Sequence, residues 1–95
     1  MTSNEPGLQP QLPAILDLAA AEPLARALEA QLTSPALHIE ASGVERVSTP
    51  CLQVLAAAAA SAKRRGQAFL VRRPSDVLRA AIADLGLIHA IPTED

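Results

Sequence analysis

The stretch SGVERVSTPCLQVL, residues 42–55, decides the fold of this chain. A turn containing Gly43 leads into Ser48, Thr49 and Pro50, and an apolar periodic segment follows. Proline loses nothing in the first turn of a helix, where its missing N–H is one of the donors without an intrahelical partner. A threonine just before it offers a capping oxygen. This run predicts a helix from Pro50 to about Arg65, with Thr49 as N-cap. Leu52, Leu55, Ala59 and Ala62 mark its inner face, and five consecutive alanines (56–60) allow close approach by a neighbour. Gly66 is the stop signal. Just upstream, ALHIEA (36–41) alternates. Leu37, Ile39 and Ala41 share one face, and His38 and Glu40 the other, the period of a half-buried strand. Val44 and Val47 pin the intervening loop to the core.

Working outward, LPAILDL (12–18) reads as a short strand that Pro13 confines to an edge or an end. AEPLARALEAQL (21–32) reads as a helix with Pro23 at its first position and a core stripe of Leu24, Leu28 and Leu32. QAFLV (67–71) is a second core strand. Ser75 caps a last helix whose inner face is Val77, Leu78, Ala81, Ile82 and Leu85. Gly86 ends that helix and Leu87 folds back over its last turn. IHAI (88–91) is a candidate closing strand and PTED (92–95) a solvent tail. Residues 1–11, broken by Pro6, Gly7 and Pro10, read as a flexible lead-in to a single domain over 12–95. Alternating strands and helices predict an α/β layer fold.

Ninety-five residues suffice for one domain, and 49% hydrophobic content suffices for a core. That core must be aliphatic, because Phe69 is the only aromatic residue. A net charge of -2 does not point to nucleic acid. One basic grouping stands out, Lys63, Arg64 and Arg65 with Arg72 and Arg73. It reads either as a solvated helix end or as a docking patch for an acidic partner. A single cysteine precludes an internal disulfide and fits a reducing, cytoplasmic setting. The longest apolar run is too short to span a bilayer.

Few residues converge on chemistry. Cys51 could act as a nucleophile with His38 or His89, or serve as a small core residue near a helix start. One cysteine and two histidines without close spacing make no metal site, and no nucleotide motif is present. No cofactor is expected. The hydroxyls of Ser48 and Thr49 remain. They sit where helix N–H groups favour an anion, and a phosphate would add roughly -1.5 to -2 charge there.

Three stretches together resemble the STAS domain family of anti-sigma factor antagonists over roughly residues 12–92: LHIEASGVERVSTPCLQVL (37–55), AKRRGQAFLV (62–71) and PSDVLRAAIADLGL (74–87). The resemblance implies a small mixed β-sheet with helices packed against it, in a binding module that is not an enzyme. In regulatory members a kinase with a histidine-kinase-like fold phosphorylates a serine or threonine at the start of this helix. Thr49 matches that position, and Ser48, which replaces the common aspartate, is the second candidate. Val44, Glu45, Arg46, Val47, Ser48, Thr49, Pro50 and Cys51 would form the partner-binding stretch. The implied partner is an anti-sigma factor or another kinase-like protein, as in sigma-factor partner switching or chemotaxis. The alternative is constitutive docking on the ATPase of a phospholipid-trafficking ABC transporter. Either way the chain would act as a monomer or weak dimer, without inserting into a membrane.

Overall fold

A computed structural model describes residues 10–95. The flexible lead-in expected for residues 1–11 falls mostly outside these residues. Residues 10 and 11 run alongside the strand at 36–40, where the Glu40 N–H donates to the Pro10 carbonyl at 2.8 Å and the Leu12 N–H to the Glu40 carbonyl at 2.9 Å.

The elements are β1 (Ile15–Leu16), a 3₁₀ turn (Leu18–Ala20), α1 (Ala21–Ala30), β2 (Ala36–Glu40), β3 (Arg46–Val47), α2 (Thr49–Arg64), β4 (Ala68–Arg72), α3 (Asp76–Asp84) and β5 (Thr93–Glu94). Strands β2, β4 and β5 form one sheet in that order, and β1 pairs with β3. Every pairing among the described strands is parallel, where the family resemblance implied a mixed sheet. The α/β layer architecture itself is as predicted.

The register explains the core. Leu37 lies opposite Phe69 and Ile39 opposite Val71, so all four share one face. All four are buried, and α2 packs against β4 on one side and α1 on the other. Leu16, Cys51, Leu55, Val71, Leu78 and Ile91 are fully buried. The alanine run does part of what its composition suggested. Ala58, Ala59 and Ala62 face inward, whereas Ala57 and Ala60 are exposed.

Both glycine stops are Schellman motifs. After α2 the Gly66 and Gln67 N–H groups reach the Lys63 and Ala62 carbonyls, with Gly66 at φ +73. After α3 the Gly86 and Leu87 N–H groups reach Ala83 and Ile82, and Leu87 packs on the core. Ser75 caps α3 as predicted, its Oγ accepting from the Leu78 N–H at 3.1 Å.

Four boundaries differ from the sequence reading. The strand expected over 12–18 shortens to Ile15–Leu16, because Asp17 caps the 3₁₀ turn by accepting from the Ala20 N–H. That turn feeds directly into α1, so Pro23 is the third helical residue and not the first. The loop before α2 contains β3, whose neighbour Ser48 donates its N–H to the Leu16 carbonyl at 2.7 Å. IHAI is not a strand. It turns so that Ile91 plugs the core, and the closing strand is Thr93–Glu94, in the segment expected to be solvent. The outer edge of β4 selects it: the Val71 N–H donates to the Pro92 carbonyl at 2.9 Å and the Arg73 N–H to the Glu94 carbonyl at 2.6 Å.

Glu40 departs from its expected polar face. It is 7% exposed and receives the Arg73 guanidinium at 2.9–3.2 Å. Arg73 sits at φ +49, in the left-handed region, just before Pro74, which disfavours the right-handed helical conformation for the residue preceding it. The fork therefore ties the β4–α3 turn back to β2. It also divides the basic grouping read from the sequence. Lys63–Arg65 end α2 near the start of β4, whereas Arg72 and Arg73 leave its far end and pair with Glu94 and Glu40.

Two outcomes follow from this packing. Ala62→Leu, at a fully buried site, should lose about 2 kcal/mol in urea unfolding, whereas Ala57→Leu on the exposed side should be near neutral. The hydrogen bonds from Arg73, then the Ser42 hydroxyl, hold the Glu40 carboxyl below the usual glutamate range. The unfolded chain thus takes up that proton at higher pH than the folded one. Glu40 should contribute stability above the ordinary glutamate pKa and lose it as pH falls through the depressed folded value. Glu40→Gln should flatten that acid limb in a pH series of denaturation midpoints.

Candidate functional site

The start of α2 is built from three hydrogen bonds. The Ser48 N–H is held by Leu16, the Ser48 carbonyl accepts the Leu52 N–H at 3.1 Å, and the Cys51 Sγ donates to the Asp17 carbonyl at 3.3 Å. The first completes the β1–β3 ladder and keeps Ser48 extended (φ -96, ψ 158). Ser48 is therefore the N-cap residue and Thr49 the first helical residue, so the helix starts one residue earlier than the sequence reading had it. Pro50 follows within the first turn, where its lack of an N–H is harmless.

This phase sets the direction of each side chain. Thr49 is exposed, with Glu45 and Arg46 exposed beside it in sequence. Val47, Ser48 and Pro50 are half-buried. Val44 and Cys51 are 2% and 0% exposed, so they anchor the segment from beneath. The Ser48 Oγ makes no capping bond to the helix. It is buried and has no hydrogen-bond partner among the described residues. No acidic residue lies in the first turn of α2, so nothing on this helix competes with an incoming anion there.

The first and second candidate hydroxyls of the sequence reading thus differ in space. One is presented to solvent and the other is enclosed. Leu18, on the 3₁₀ turn against α2, is 72% exposed and extends the surface next to this helix start. Sequence reasoning missed it, because in a strand spanning 12–18 it would have been one more core residue. The thiol reading does not gain a base, since the Cys51 Sγ is bound to a backbone carbonyl and not to His38 or His89. Among the described residues no group of three or more His, Cys, Asp or Glu side chains is placed to hold a metal ion, and no helix is long and apolar enough to cross a membrane.

A family model described as "Mlab, STAS domain" matches residues 9–92. No curated protein matches the chain. The match spans β1 to the residue before β5, including the parallel core, the α2 start and both Schellman-capped helices. The chain belongs to the STAS domain family.

Proposed function

We propose that this STAS domain, an anti-sigma-factor-antagonist-like module, docks a kinase-type protein partner on the exposed start of α2 and is switched by phosphorylation of Thr49. The observation that carries this reading is the contrast between the two hydroxyls. Thr49 is open to an enzyme, whereas a kinase reaching the Ser48 Oγ would have to unseat the β3–α2 junction. A phosphate on Thr49 would sit at the positive end of a 16-residue helix, where roughly -1.5 to -2 charge is tolerated. The helix would stay formed, and a partner seated on this face would meet a dense, hydrated charge. Release would come from repulsion and desolvation at the interface, with the fold unchanged.

On this reading the chain is a binding module without catalytic activity, working in the cytoplasm as a monomer or weak dimer within sigma-factor partner switching or a chemotaxis cluster. Glu45, Arg46 and Thr49 form the contact surface, Val47, Ser48 and Pro50 its half-buried border, and Val44 and Cys51 the support.

A second reading uses the same face. In a constitutive subunit docked on an ABC-transporter ATPase, Thr49 would be a permanent contact. The description carried by the matching family model and the serine at 48, in place of the carboxylate common beside a phosphorylated residue, favour it.

Phosphosite mapping of the protein from its own cells separates the two. The switch predicts phosphate on Thr49, none on Ser48, and loss of the modification in Thr49→Ala. Thr49→Glu should weaken partner binding by about tenfold or more, while Ser48→Ala binds as the parent does. A stable partner co-purifying with a chain that carries no phosphate under any growth condition would favour the constitutive subunit.

A further inference from the structure

A second site lies at the other end of α2. Between the last turns of that helix, the start of β4 and the segment before β5 is a cavity of about 410 Å³, within the range of small-molecule sites. Its walls are apolar where α2 and β4 meet, with Ala56 and Ala60 on the helix and Phe69 on the strand. Lys63 and His89 line it as well, and no carboxylate does among the described residues.

Unpaired positive charge gathers beside it. Arg26, Arg72, Arg73 and Arg79 each pair with a carboxylate. Among the described residues Arg46, Lys63, Arg64 and Arg65 have none within ion-pair distance, and all but Arg46 follow one another at this end of α2. The Ser61, Ala62 and Lys63 carbonyls in the last turn of α2 already accept backbone N–H groups, so these cations are not needed to cap them.

Gln67 supplies an independent sign of a ligand. It lines the cavity and is 8% exposed. Its Nε2 donates to the Gln31 carbonyl at 2.9 Å, the Ser34 carbonyl at 2.8 Å and the Ser34 Oγ at 3.2 Å. Its Oε1 is buried with no partner among the described residues, an acceptor left without the donor that burial calls for.

We propose that this cavity binds a small amphipathic anion: an apolar chain with a carboxylate head and an N–H or O–H donor beside it. The chain lies over Ala56, Ala60 and Phe69, the carboxylate faces Lys63, and Gln67 Oε1 accepts from the donor. Its lining on α2 runs from about 10 Å (Ala56) to about 21 Å (Lys63) along the helix from Thr49, so it is separate from the docking face.

The test is a two-dimensional NMR titration of the full chain with N-octanoylglycine, alongside octanoate, which lacks the amide donor, and the methyl ester, which lacks the charge. The proposal expects saturable shifts confined to the cavity residues, with octanoate and the ester each weaker by about tenfold. Lys63→Ala should weaken N-octanoylglycine about tenfold, and Ala60→Phe, at an exposed helical position, should abolish binding with a dispersed, folded spectrum. Absence of saturable shifts, an ester that binds as tightly as the acid, or a Lys63→Ala variant that titrates like the parent would each overturn it. So would an acidic peptide that saturates the same resonances more tightly, since the occupant would then be a protein segment.

Discussion

The structure turns on the hydrogen bond from the Ser48 N–H to the Leu16 carbonyl. It ends a parallel pair only two residues long on each strand and starts a 16-residue helix in the same step. With Ser48 held extended, α2 can begin in only one phase. Thr49 then points out, Cys51 points in, and Leu52 and Leu55 fall on the core side. A start shifted by one residue would turn each side chain by about 100° around the helix axis. The fully buried Cys51 and the exposed Thr49 would exchange environments with their neighbours. The small volume of cysteine suits this point, where the helix meets the turn at Asp17, and its weak S–H donor finds the carbonyl there.

Much of this was legible in the sequence because it rests on local rules. The leucine stripes, Ser75 at its cap and Gly66 and Gly86 after their helices all announced themselves within a few residues. The alternation at 36–41 gave β2 its inner face. The unread parts depend on partners distant in the chain. A two-residue strand has no period to detect, so β1 and β3 are visible only through each other. β5 was misplaced because IHAI is the more apolar segment, whereas the exposed Thr93 and Glu94 are recruited by unpaired groups on the edge of β4. Glu40 was assigned to solvent because nothing near it in sequence indicates that an arginine 33 positions later will reach it. At the candidate site, the STP run marked the place and the family. Choosing between its two hydroxyls required the register of β3 against β1.

The two ends of α2 carry different chemistry on one rigid element. At its start are an exposed threonine and a protruding Leu18, the surface proposed for a protein partner. At its end, Lys63 lines a cavity together with Gln67, whose amide oxygen has no partner among the described residues. The helix between them is lined with buried alanines, so its position is fixed closely by α1 and the sheet. Small side chains leave little slack, and a change seated at either end has to be accommodated by the same packed face.

The central claim is that the exposed start of α2 is the partner surface. Photo-crosslinking in the native cells tests it most directly, with a benzophenone amino acid placed at Thr49 or Arg46 and, as a control, at the exposed Ala80 on α3. The account predicts that Thr49 and Arg46 capture one and the same protein, bearing a kinase-type ATP-binding domain, and that Ala80 does not. Capture of that protein from Ala80 with none from Thr49 or Arg46 would contradict it.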